Sequence, residues 1–201
     1  MVGKTGFTNF VHWEMGEIQA LNASSAQLTP VENAQLMRLG SDQRKREFKA
    51  IRVLKQGVFG ADEIIYGMHG KPEIQQAGVT IGISHSSQWA LFAHAAVAFG
   101  CDIEEPHERI TRVVARFCSS EELELFGGEV GIIQLTQLWS CKEAIYKLVN
   151  EPGIHWKDQM RCTTISESKF LFTVETPLKH AVIHCETIHV NNAVISIATY
   201  A

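Results

Sequence analysis

The chain has 201 residues, enough for one medium domain or two small halves packed together around a sizeable core. Hydrophobic residues make up 45% and charged residues 20%, and the formal net charge of −4 argues against a general nucleic-acid binder while leaving room for a local basic cluster. The first residues, MVGKTGFTNFVHWEMGE, lack the apolar run and cleavage site of a signal peptide, and no apolar stretch reaches the ~18–20 residues that span a bilayer, so the expectation is a cytoplasmic protein with no membrane partner.

In chain order, Phe7 to Ile18 mixes aromatic residues and isoleucine and reads as the start of a strand. A helix is expected after Pro30, through Val31, Leu36 and Met37. Ser41-Asp42 caps a second helix, DQRKREFKAIRVLKQGVFG, with Phe48, Ile51 and Val53-Leu54 near helical spacing. Its opposite face is expected to carry Arg44, Lys45, Arg46, Lys49, Arg52 and Lys55. Gly67 to Pro72 reads as a loop from its breakers.

VTIGIS (79–84), Trp89–Phe92 and AVAFGCDIE (96–104) read as strands, the last with a break at Gly100. Glu108–Phe117 and Ser120–Phe126 look helical, the latter capped by Ser119-Ser120-Glu121-Glu122. A long helix spans 132–150 and stops at Pro152-Gly153. The tail, KFLFTVET and then HAVIHCETIHVNNAVISIATY, alternates as strands, with a hairpin turn at Asn191-Asn192. Helices followed by strands in each half hint at an internal duplication. The five cysteines are odd in number and form no CxxC pair, so buried free thiols in a reducing compartment are expected rather than zinc or disulfides.

Four short motifs carry chemistry. In Cys101-Asp102-Ile103-Glu104, residues two apart on a strand share a face, so Asp102 and Glu104 project together and repel unless a charge offsets them. A hard cation such as Mg²⁺ does this; a solvated acidic strand end is the plain alternative. In Trp139-Ser140-Cys141-Lys142-Glu143-Ala144-Ile145-Tyr146-Lys147, helical spacing puts Trp139, Glu143 and Lys147 on one face, with Lys142 and Tyr146 in an adjacent row. Glu143 is then a third carboxylate for a metal or a general base, and Lys147 a partner for an anionic substrate; a structural Trp with a surface Glu–Lys pair is the alternative. Ile83-Ser84-His85-Ser86 ends a strand in a turn rich in donors that suits phosphate, or is a polar turn without function. A Ser-His hydrolase would want a GxSxG elbow, and none occurs. The basic helix and Lys71 supply cations, or a solvated face.

Read together and in order, GKP, ISHS, GCDIE and WSCKEAIYK resemble the phosphopantetheinyl transferase family, in its two-half type that activates peptide and polyketide synthases. Arg46-Glu47-Phe48 leading to Arg52 is similar to that family's coenzyme-A-binding helix. The resemblance runs from about Arg44 to Lys147 and more loosely to the end. It implies an α+β pseudo-dimer of two similar halves, 1–98 with coenzyme-A-binding elements and 99–201 with metal-binding and catalytic elements, and an active site in the cleft between them. It implies that Asp102, Glu104 and Glu143 hold Mg²⁺ (or Mn²⁺, which accepts the same oxygens), that Glu143 and Lys147 are catalytic, and that Arg44, Arg52, Lys71, Ser84 and His85 contact coenzyme A. The implied reaction moves 4′-phosphopantetheine from coenzyme A to a serine of an apo acyl, peptidyl or aryl carrier protein and releases 3′,5′-ADP, in a monomer. A non-catalytic coenzyme A or carrier-binding module on the same fold is the alternative. The family's glycine-rich stretch after the lysine helix is reduced here to Asn150-Glu151-Pro152-Gly153.

Overall fold

The computed structural model describes residues 3–24, 27–76 and 78–201. The chain separates into two units, Met1–Val97 and Ala98–Ala201, each a mixture of helices and antiparallel sheet.

The first unit opens with a hairpin of β1 (Gly3–Thr8) and β2 (Val11–Glu17). Its two-residue turn puts Asn9 at φ 49° and Phe10 at φ 66°, the doubly positive geometry that matches the twist of paired strands. Only one strand is expected here from sequence, because a phenylalanine in that conformation is a poor turn signal. Two short helices follow, α1 (Ile18–Ala23) and α2 (Pro30–Met37). Thr29 caps α2 in a reciprocal box with Glu32, and Pro30 takes the first helical position, where no N–H is missed.

Helix α3 (Asp42–Phe59) starts where Ser41 Oγ accepts from the Arg44 N–H and ends at Gly60. Strands β3 (Ile64–Tyr66) and β4 (Pro72–Ile74) pair around a 3-10 turn at Met68–Gly70, so the expected loop is the tip of a small hairpin. β5 (Thr80–His85) and β6 (Trp89–Ala95) complete a four-stranded sheet of order β1-β2-β6-β5. Ile51 and Leu54 of α3 pack with Leu21, Ile64, Ile81 and Phe92, each large side chain worth about 1.5–3 kcal/mol on burial.

The second unit begins at β7 (Phe99–Glu104). A 3-10 turn at Glu108–Arg112 and the short helices α4 (Val114–Phe117) and α5 (Ser120–Glu124) lead into α6 (Ile132–Val149). Asn150 ends α6 in the left-handed conformation at φ 53°. Then come α7 (Trp156–Gln159), β8 (Met160–Ser166), β9 (Lys169–Glu175), β10 (His180–Val190) and β11 (Ala193–Tyr200). The sheet order is β7-β11-β10-β9-β8, and α6 buries Leu138, Cys141, Ala144, Ile145 and Leu148 against it. The turn at Asn191-Asn192 sits where expected; α7 and β8 are not expected from sequence, since MRCTTIS carries too little apolar alternation.

In each unit a strand leads into short helices and an 18-residue helix, and the last strand returns to pair antiparallel with that leading strand: β6 with β2, β11 with β7. The five cysteines are buried free thiols. Among the described residues no helix is long and apolar enough to cross a membrane.

Candidate functional site

The acidic site is built where α6 crosses β7, and Gly100 sets their distance. A Cβ at Gly100 would stand 1.9 Å from the Ala144 carbonyl oxygen and 2.8 Å from the Leu148 amide nitrogen, so helix backbone lies directly on the strand. Gly100 is thus a place of close approach, not the strand break expected from sequence. Two and four residues on, Asp102 and Glu104 point the same way as that contact.

Lys147, one turn beyond Ala144 and Glu143, places Nζ 2.7 Å from Asp102 Oδ1 and donates to the Cys101 carbonyl at 3.1 Å. Asp102 is buried at 3% exposure, whereas Lys147 is partly open. The Trp139 indole N–H donates to Glu104 Oε1 at 2.9 Å, and its ring is held edge-on by Phe117 and against Trp156. The face Trp139–Glu143–Lys147 expected from helical spacing therefore turns toward β7.

The electrostatics follow from three carboxylates in a half-dry place. Burial, then the charge of Asp102, pushes Glu104 up to about 7, against the Trp139 hydrogen bond. Burial, then Asp102, likewise pushes Glu143 up to about 7, with Lys147 opposing. Burial is the largest single influence on Lys147 and works against its ammonium, but Asp102, by charge and hydrogen bond, together with Cys101 and Glu143 holds the lysine above its ordinary value. Among the described residues no three His, Cys, Asp or Glu side chains close on a common point as metal ligands. The donor chemistry still fits a hard divalent cation: all three are carboxylate oxygens, and two are held near 7 by burial and mutual repulsion that a cation would offset.

Lys142 does something else. Its ammonium is fully buried, bonded to both Glu122 oxygens (2.7 and 2.9 Å) and to the carbonyls of Phe117 and Trp156. Glu122 also closes the cap on α5 with Ser119 and accepts from the Cys162 N–H at 2.8 Å. Every strong group is satisfied, so this pair joins α5, α6, α7 and β8 structurally.

In the first unit, a pocket of ≈ 310 Å³, the low end of ligand-site sizes, is lined by Arg44, Glu47, Phe48, Arg52, Tyr66 and His85 among others. Three expected coenzyme A contacts, Arg44, Arg52 and His85, thus meet on one cavity. Arg52 does not lie on the helix face opposite the apolar positions, where the sequence places it, but is buried. Residues four apart share a face, so Arg52 follows Phe48 and Lys55 follows Ile51 into the interior. There Glu32 balances both, at 3.2 Å from Arg52 Nε and 3.6 Å from Lys55 Nζ, and the Arg52 guanidinium lies 3.8 Å over the Phe48 ring.

Glu47 faces His85 at 3.5 Å and is a pocket residue outside the expected site set, although helical spacing places it on the row 44–47–48–51–52. β5 runs through His85, so Ser84, which is buried, and His85 point to opposite faces rather than into one cluster. Lys71 ends the Met68–Gly70 turn, and neither it nor Ser84 lines the pocket among the described residues.

A family model described as the 4′-phosphopantetheinyl transferase superfamily matches residues 98–198, the stretch that holds β7, α6 and the acidic site. No curated protein matches the chain.

Proposed function

Because this chain belongs to the 4′-phosphopantetheinyl transferase superfamily, we propose that it transfers the 4′-phosphopantetheine arm of coenzyme A to a serine of an apo acyl, peptidyl or aryl carrier protein, with Mg²⁺ or Mn²⁺, and releases 3′,5′-ADP. The observation that carries this is the acidic crossing at Gly100: Asp102, Glu104, Glu143 and Lys147 on two elements inside the matched stretch.

The serine hydroxyl attacks the phosphorus that bears pantetheine, the bond from that phosphorus to the bridging oxygen breaks, and 3′,5′-ADP departs with that oxygen. Glu143 takes the serine proton; a carboxyl near 7 is matched to base work at neutral pH. Lys147, kept charged by Asp102, stabilises the negative charge that gathers on the diphosphate. Asp102, Glu104 and a Glu143 oxygen would hold the divalent cation, which supplies charge neutralisation for the diphosphate when bound. Trp139 orients Glu104 through its indole N–H.

Arg44, Arg52 and His85 on the ≈ 310 Å³ pocket recognise the phosphates of coenzyme A; contacts from Lys71 and Ser84, which do not line that pocket, rest on the family resemblance alone. The N-terminal half, 1–98, supplies these groups and the C-terminal half, 99–201, the acidic ones. That the halves form a pseudo-dimer sharing one site, in a monomer acting in the cytoplasm, is part of the same reading and rests on the family resemblance.

The test is mass spectrometry of an apo carrier incubated with the protein, coenzyme A and Mg²⁺. Gain of the phosphopantetheine mass on serine supports transfer. Coenzyme A binding without that gain, across a panel of carriers, makes the chain a binding module instead.

A further inference from the structure

Outside the acidic crossing and the phosphate pocket, two histidines meet on the sheet of the first unit. His12 of β2 and His94 of β6 are direct cross-strand partners in the antiparallel register. Such partners hold their Cβ atoms about 4.5–5.5 Å apart. The two rings are near-parallel, with centroids 5.2 Å apart. His12 is exposed and His94 partly buried, so the pair opens to solvent on one side. Phe7 stands 4.6 Å from the His12 ring, and Phe59 meets His94 edge-on at 5.2 Å. The pair therefore sits in an apolar collar, and neither imidazole makes a hydrogen bond or ion pair with another described residue.

We propose that His12 and His94 form a binding site for a borderline transition-metal cation, Zn²⁺, Ni²⁺ or Cu²⁺. The spacing supports this. An imidazole nitrogen lies about 1.1 Å from its ring centroid and about 2.0–2.1 Å from a bound Zn²⁺, so centroid and ion are about 3.2 Å apart. Two rings with centroids at 5.2 Å then subtend about 109° at a shared ion, the tetrahedral angle. The rings need to turn about χ2, a soft torsion for histidine, to aim one nitrogen each at that point.

Imidazole selects these ions over Mg²⁺, so the site differs in chemistry from the carboxylates of Asp102, Glu104 and Glu143. Among the described residues no third His, Cys, Asp or Glu completes a cage. Water fills the remaining positions, and the ion exchanges readily. Bound metal clasps β2 to β6 and stabilises the folded chain by mass action.

The test uses the full chain and Ni²⁺ alone by titration calorimetry, with Cu²⁺ followed by electron paramagnetic resonance. His12→Phe and His94→Phe keep the ring packing and remove the nitrogens; His180→Ala, at an exposed position, and Asp102→Asn are the controls. Each Phe variant should weaken the wild-type Ni²⁺ site at least tenfold, the double variant should add little more, and the two-nitrogen Cu²⁺ signature should vanish. Both controls should retain the site. Ni²⁺ affinity within twofold of wild type in both Phe variants, or loss of binding in Asp102→Asn instead, overturns the proposal. Should a Phe variant fail to fold by circular dichroism, His12→Gln, at an exposed position, carries the same two outcomes.

Discussion

Replacing Gly100 by alanine puts a methyl group where the Ala144 carbonyl already stands, at 1.9 Å. The methyl is fixed in place by the strand backbone and the carbonyl belongs to the helix backbone, so no side chain can swing away to relieve the clash. Restoring an ordinary contact of 3.4 Å means moving α6 off β7 by about 1.5 Å. Overpacking of this kind costs up to about 3 kcal/mol, or roughly 6–12 °C in melting temperature for a chain of this size. The same displacement carries Lys147, three residues on, and stretches its 2.7 Å bond to Asp102 toward about 4.2 Å. At an effective dielectric of about 20 that forfeits about 2 kcal/mol, less after solvent screens the partly open lysine. A misplacement of about 1 Å can cost about a hundredfold in rate, and a fall of that order in carrier modification is the expected result. The assay pairs thermal melts with initial rates of carrier modification at saturating coenzyme A. A Gly100→Ala chain with wild-type melting and wild-type rate would refute the claim that the glycine sets the site.

Lys142→Met leaves the Glu122 carboxylate buried without its cation and should lower stability by about 3–5 kcal/mol in urea unfolding; Glu122→Leu added to it should recover part of that loss. Glu104 and Glu143 titrate near 7 in the fold against 4.5 in an open chain, so the folded state holds more protons between those values and these groups reduce stability as pH rises through them. Melts without divalent cation should drop from about pH 5.5 to about pH 8, Mg²⁺ should restore more at the higher pH, and Glu143→Gln should flatten the slope; a slope unchanged in that variant would contradict the assignment. Asp102→Ala should raise the Mg²⁺ concentration for half-maximal transfer at least tenfold, read from a metal titration of the rate.

The α6 helix, the strand before it and the final hairpin were legible because their patterns are long and local: 18 residues at helical spacing, and strict alternation around Asn191-Asn192. The acidic trio and Lys147 were legible as residue types at fixed spacing. Their geometry was not, since the crossing depends on Gly100 meeting Ala144, a contact between residues 44 apart in sequence. Arg52 and Lys55 are expected on the face opposite the apolar positions because a count of charges does not reveal the buried Glu32, twenty and twenty-three residues earlier, that balances them. Helical spacing puts Lys142 and Tyr146 in one row but does not show that Glu122 and two carbonyls draw the Lys142 ammonium fully inside. Each of these failures involves a partner distant in sequence, which periodicity along one element does not report.

Glu143 tests the proposed transfer most directly. Wild-type protein and Glu143→Ala, both folded by circular dichroism, are incubated with coenzyme A, Mg²⁺ and a panel of apo carriers, and carrier mass and 3′,5′-ADP are followed together. The expected result is a phosphopantetheine adduct on serine with matching 3′,5′-ADP for wild type, and neither for Glu143→Ala. Equal transfer by the variant would remove Glu143 from the chemistry, and 3′,5′-ADP released by wild type without any carrier adduct would make the chain a hydrolase of coenzyme A.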